Sequence, residues 1–218
     1  MEQFAMTQQV GALDLNKVYS YADYLRWHVQ ERLELIKGSI FKMAPAPMRY
    51  HQELSGALFG EFRAYLKGKT CRVFHAPFDV RLPKNAAERR DDQIETVVQP
   101  DLVVVCDRSK LDRRGCLGAP DLVIEILSPS TAAKDVKDKF ALYQETGVRE
   151  YWIVHPEEAI VEVFRLNEQG KYVLEKIATR TDSVTVGIFE DFTLDLREIF
   201  EEECLDEFED DAHHERRL

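Results

Sequence analysis

The chain has 218 residues, 44% of them hydrophobic and 32% charged, an ordinary globular composition that excludes wholesale disorder. No apolar run approaches the ~18 residues of a membrane span, and residues 1–15 lack the basic start and apolar core of a secretory signal. Net charge is −11, of which residues 200–218 supply −7 (nine acidic against two basic), so the body carries only −4 and a basic groove can exist only locally.

Residues 1–18 are polar and expected to be loose, followed by a single domain over 19–199 and an acidic tail over 200–218. Tyr21, Tyr24, Leu25 and His28 recur at helical spacing within 19–30, with Ser20 as N-cap. Leu33 to Ile36 and Ser39 to Met43 are short runs on either side of Lys37-Gly38, a hairpin signal. Ala44-Pro45-Ala46-Pro47 then breaks the chain. A helix is predicted over 49–67, with Leu54, Leu58, Phe62, Tyr65 and Leu66 as its apolar stripe and Gly68 closing it.

Residues 72–82 predict a strand kinked at Pro77, and 83–96 a polar loop. Val97 to Cys106 and Leu122 to Leu127 are β-branched runs, each with a Pro-Asp pair near its start. Such continuous apolar runs predict central strands buried on both faces. A helix over 131–146 turns Val136, Phe140 and Tyr143 inward and ends at Gly147. Tyr151 to Val154 is another buried strand, and 160–166 with 172–177 form a hairpin. The order predicts an α/β (α+β) fold, a mixed sheet flanked by helices. The cysteines at 71, 106, 116 and 204 have no metal or redox spacing. Cys106 reads as a free thiol filling core, and the pattern suits a reducing, cytoplasmic compartment.

The chemistry concentrates in 100–154. Glu125 sits inside a buried apolar strand, where a carboxylate is costly unless paired or bound to a metal. Asp101 opens the neighbouring run; alone it is a turn residue after proline. Asp135 and Lys139 share a helix face at i and i+4; alone they are a surface ion pair. Together, acids from two strands and a lysine from the next helix outline a phosphodiester-cleaving site. Carboxylates suit Mg²⁺, with Mn²⁺ as substitute. A bound metal lowers the pKa of its water, and a lysine steadies the transition-state charge. Asp121, ~13 Å along the strand from Glu125, is structural, as are Asp79, expected to pair with Arg81 or Arg72, and core Tyr151-Trp152. His213-His214 belongs to the solvated tail.

Three stretches carry a resemblance: Gln99 to Val105, Ala119 to Thr131 (APDLVIEILSPST), and Gly147 to Val154 (GVREYWIV). Glu34 to Gly38, His51 and Ala76 to Leu82 add to it. Over about 20–195 the chain resembles the Uma-two family of bacterial restriction endonuclease-like proteins, similar in turn to the PD-(D/E)xK nucleases. The resemblance implies a mixed four-stranded core flanked by helices. It implies that Asp101 and Glu125 are metal-binding acids and that Lys139 replaces the superfamily lysine, whose usual place holds Leu127. Glu34 resembles the additional N-terminal acid, although it falls in a hairpin. His51 either packs at its helix start or lies near the active-site cleft, and Asp135 is a further cleft candidate. The resemblance also implies DNA as substrate and a homodimer that cuts two strands.

Two other readings stand beside a Mg²⁺-dependent DNA endonuclease. One is a nuclease-fold protein that binds or assembles without cutting, favoured by the displaced lysine and the acidic surface. The other is a metal hydrolase of small phosphate esters, against which no glycine-rich phosphate loop or HExxH pair is present. The basic cluster Arg108 to Arg114, between the two acid-bearing strands, lies either at the cleft mouth or in a solvated loop.

Overall fold

The computed structural model describes residues 13–29, 31–43, 48–85, 87–128, 132–189 and 191–201, with side chains of the last long helix described from Val136 onward. The four-residue helix α1 (Tyr21–Tyr24) starts where Ser20 caps it in a reciprocal box with Asp23, but is far shorter than the spacing suggested. Strands β1 (Leu33–Ile36) and β2 (Ser39–Lys42) form the expected hairpin. Lys37 and Gly38 both have positive φ, 51° and 79°, the turn geometry whose twist matches paired strands. The Pro-rich break at 44–47 lies outside the described residues.

Helix α2 (Arg49–Tyr65) buries Leu54, Leu58 and Phe62 completely, each contributing about 1.5–3 kcal/mol of apolar burial. The predicted kinked strand 72–82 is two strands, β3 (Arg72–His75) and β4 (Val80–Arg81), separated by a cis Ala76–Pro77 bond and lying in different sheets. The run from Val97 to Cys106 divides in the same way. It makes β5 (Val97–Val98) in one sheet and β6 (Leu102–Val105) in the other, because Pro100 cannot donate to a ladder.

A hairpin of β7 (Leu111–Asp112) and β8 (Gly115–Leu117) follows. Next come β9 (Leu122–Ile126), helix α3 (Ala132–Thr146), β10 (Glu150–His155), β11 (Ile160–Leu166) and β12 (Tyr172–Thr179). A small pair, β13 (Ser183–Thr185) and β14 (Thr193–Asp195), leads into α4 (Leu196–Ile199). Phe200, counted with the tail from sequence, is fully buried.

The central sheet has the order β12-β11-β10-β9-β6-β3, with β9 and β10 parallel across α3 and its other pairs antiparallel. The second sheet runs β2-β1-β5-β4-β8-β7. One face of the central sheet packs on α2, β13–β14 and α4. The other packs on α3 and the second sheet, through Val103, Val105, Val123, Tyr151 and Ile153 against Ile36, Val80, Val98, Leu142 and Tyr143. The expected mixed sheet with helices is therefore present, with a second sheet added over the face that carries the acids.

Cys71 and Cys106 form a disulfide, which corrects the reading of Cys106 as a free core thiol and weakens the argument for a reducing compartment. The antiparallel β3–β6 register pairs Arg72 with Val105, so the two cysteines just beyond it face one another. Asp79 accepts from Tyr21 Oη and Gln99 Nε2, both at 2.8 Å, while buried Arg81 bonds Asp112 at 2.7 Å; the expected Asp79–Arg81 or Arg72 pairing does not form. Asp121 is structural as expected, accepting from the Cys106 N–H and from Arg149.

Candidate active site

The β6–β9 register pairs Leu102 with Ile124, so Asp101 and Glu125 stand opposite each other on the face covered by α3. Asp101 Oδ2 accepts the Ile126 N–H at 2.8 Å, which fixes its carboxylate at the strand end. His51, in the first turn of α2, brings Nε2 within 3.2 Å of the Ile126 carbonyl oxygen and 3.4 Å of Asp101 Oδ2. Both neighbours are acceptors, so the ring proton belongs on Nε2, and Nδ1 has no partner among the described residues. Burial pushes His51 down, but the Asp101 carboxylate and the Ile126 carbonyl outweigh it and hold the imidazole above its ordinary value. His51 therefore lies against Asp101 and the end of β9, and its ring does not cap α2.

Lys139 reaches down from α3 between two carboxylates, 3.0 Å from Glu125 Oε1 and 3.2 Å from Glu34 Oε1. Burial pulls this ammonium down, but Glu125 and Glu34 outweigh it, so Lys139 stays charged. The hairpin placement of Glu34 does not remove it from the site. The second sheet lies over the central one, and β1 presents Glu34 inward, where Oε1 also accepts the Gln99 N–H at 2.7 Å. Burial pushes the Glu125 carboxyl up to about 7, against the pull of Lys139, with Asp101 and Glu34 raising it further.

One turn after Lys139, Tyr143 donates its hydroxyl to Glu125 Oε1 at 2.6 Å. Burial drives the phenol far above its usual range, so it remains a donor. From sequence Tyr143 stands out only in the apolar stripe, although its i+4 spacing from Lys139 is a signal, since a buried tyrosine hydroxyl needs a partner. Gln99 stands out only as part of the stretch from Gln99 to Val105. The side chain of Asp135 lies outside the described residues.

The structure therefore brings together Glu34, His51, Asp101, Glu125 and Lys139. Among the described residues, no hydrogen bond reaches Glu125 Oε2 or Asp101 Oδ1, and no group of three His, Cys, Asp or Glu side chains is assembled around a single point. Two carboxylates with uncommitted oxygens are the donor set of a hard cation that keeps several waters, as Mg²⁺ does, rather than of a thiolate- and imidazole-bound zinc. The basic cluster at 108–114 runs into β7 at the edge of the second sheet, where Arg114 pairs with Asp91 and Lys110 donates to the Ala119 carbonyl.

A family model, Uma2, described as "Putative restriction endonuclease", matches residues 21–197. This chain belongs to the Uma2 family. A curated relative, the uncharacterized protein slr1290 of Synechocystis sp., is 25% identical over 155 residues, covering 70% of this chain and 76% of its own. A crystal structure titled as a putative nuclease belonging to DUF820, from Anabaena variabilis, matches with a TM-score of 0.65 at 21% identity. The match covers 86% of this chain and 99% of that one, a likeness of fold. Among the described residues no helix of this Uma2 chain is long and apolar enough to cross a membrane.

Proposed function

We propose that this Uma2 protein is a Mg²⁺-dependent endonuclease that hydrolyses phosphodiester bonds in DNA. The observation that carries the reading is the convergence of Asp101, Glu125 and Lys139 on one sheet face, with the lysine held as a cation. Asp101 and Glu125 would hold the cation, Mg²⁺ or in its place Mn²⁺, which when bound activates water and offsets charge on the scissile phosphate. The Ile126 N–H and His51 orient Asp101. Tyr143 and Lys139 both bond Oε1 of Glu125 and leave Oε2 without a hydrogen bond among the described residues, free to meet the cation. Glu34 keeps Lys139 protonated and aimed, so that its ammonium can orient the attacking water or steady the developing phosphate charge. In this reading the protein works in the cytoplasm, and two copies pair to cut both strands.

The net charge of −11 favours a second reading, a nuclease-fold protein that does not cut. Supercoiled plasmid incubated with the chain in Mg²⁺, Mn²⁺ or EDTA separates the two. Metal-dependent nicking that disappears in Glu125→Ala is the expected result. Bound but uncut plasmid under every metal would refute the nuclease reading.

A further inference from the structure

Beside the acid cluster, at the end of the sheets where Asp101 sits, lies a cavity of about 340 Å³. Tyr24, Trp27, Arg32, Leu33, Pro77 and Gln99 line it. Its size falls at the low end for small-molecule sites. Tyr24 and Trp27 present half-buried rings with centroids 5.7 Å apart, and Tyr21 stacks behind Tyr24. The Trp27 indole N–H makes no protein hydrogen bond among the described residues and is open to solvent.

Gln99 ties this cavity to the acids. Its backbone N–H donates to Glu34, while its side-chain amide donates to Asp79 at 2.8 Å and accepts from Arg32 Nη2 at 3.0 Å. One lone pair of its Oε1 stays available to a ligand donor. Gln99 is two residues from Asp101, a separation of at most about 7 Å along the chain. Flat apolar walls, one acceptor, one unpaired indole donor and a guanidinium are the features that recognise a nucleobase by stacking and edge contacts. Glu31, also on the wall, repels a phosphate, so the cavity suits the neutral base rather than the backbone.

We propose that this pocket holds one unpaired nucleobase of the substrate strand, next to the bond that is cut. The inference rests on the nuclease reading and narrows its substrate to a strand with a single-stranded or extruded base at that position. Extruding a base costs a few kcal/mol, least where it is already unpaired, so the pocket favours single-stranded or distorted DNA.

Intrinsic fluorescence tests it directly. The chain has two tryptophans, and Trp152 is fully buried in the core, so ligand-dependent quenching reports on Trp27. The Glu125→Ala chain, in Mg²⁺, is titrated with a deoxyadenylate hexamer and with the same hexamer made abasic. The expected result is quenching by the base-bearing strand and an apparent affinity for the abasic strand about five- to hundredfold weaker, the range that stacking one base supplies. The quenching should vanish in Trp27→Phe. Equal quenching by the abasic strand, binding by anisotropy with unchanged emission, or no binding would each overturn the proposal. Plasmid nicking by the wild-type chain without base-dependent quenching removes the pocket alone. Base-dependent quenching without nicking keeps the base pocket but removes the nuclease reading and, with it, the cut bond beside the pocket.

Discussion

Replacing Lys139 with Met tests the electrostatic reading of the site. Methionine keeps most of the aliphatic volume but removes the ammonium shared by Glu34 and Glu125, whose side chains are 6% and 11% exposed. Two buried carboxylates cannot then both stay ionised, so the folded state must take up a proton. An unfolded glutamate titrates near 4.3, and each pH unit above that costs about 1.36 kcal/mol to hold it neutral. Burial already brings Glu125 to about 7 in the wild type while Lys139 holds it down, so without Lys139 this carboxyl takes up the proton. At about 1.36 kcal/mol per pH unit the added cost has a ceiling of about 0.8 kcal/mol at pH 7.5 and falls close to zero at pH 5.5. A carboxyl whose folded value is raised loses stability as pH rises from its unfolded toward its folded value, so the deficit of Lys139→Met must shrink on acidification. Urea unfolding of both chains at the two pH values measures it. A deficit equal at pH 5.5 and 7.5 would mean that Lys139 supplies packing alone and would refute the reasoning.

The other predictions are simpler. Tyr143→Phe deletes the hydroxyl that bonds Glu125 and should cost about 2 kcal/mol in urea unfolding while far-UV circular dichroism is unchanged; equal stability would deny the bond. The folded pKa of His51 is raised above the ordinary 6.5, so its contribution is fully present below pH 6.5 and is lost as pH rises through the folded value. His51→Ala should therefore cost more stability at pH 6 than at pH 8.5, and the opposite ordering in paired melts would contradict the contact with Asp101. Reducing the Cys71–Cys106 bridge, which closes a 35-residue separation, should lower stability by roughly 4 kcal/mol in the loop-entropy treatment, measured by unfolding with and without reductant.

What the sequence reveals and conceals follows the range of the forces involved. The β1–β2 hairpin is legible because its turn is local: Lys37-Gly38 supplies two left-handed residues. Helices α2 and α3 are legible from their stripes and from the glycines at 68 and 147, both with positive φ. Sheet membership is not local. Residues 97–106 form one apolar run, yet Pro100 hands the chain from the second sheet to the central one, and only the tertiary pairing of β5 with β1 and β6 with β9 shows it. The same distance hides the disulfide, which depends on β3–β6 register, and the place of Glu34, which depends on one sheet packing over another. Asp101 and Glu125 were legible because a carboxylate in or beside a β-branched run demands an explanation.

The placement of the lysine shows which constraint the fold obeys. Two residues beyond Glu125, on the same strand face, stands Leu127, which packs with the apolar cluster beneath α3. That strand position is closed to an ammonium, yet Glu125 still receives one. Helix α3 crosses this face and offers Lys139 and, one turn on, Tyr143, so both donors reach the same oxygen, Oε1. In this chain positive charge meets the Glu125 carboxylate at Oε1, and a helix delivers it. Delivery from a helix has its own consequence. The fully buried Tyr143 ring and Leu142 seat α3 on the sheet, so the packing that holds the helix also sets the charge of the site. Lys139 and Tyr143 move together if α3 shifts, and Glu125 then loses its cation and its phenol in one step, leaving a buried carboxyl that must take up a proton. The site is thereby coupled to the docking of one helix, which a lysine carried on the strand beside Glu125 would not require.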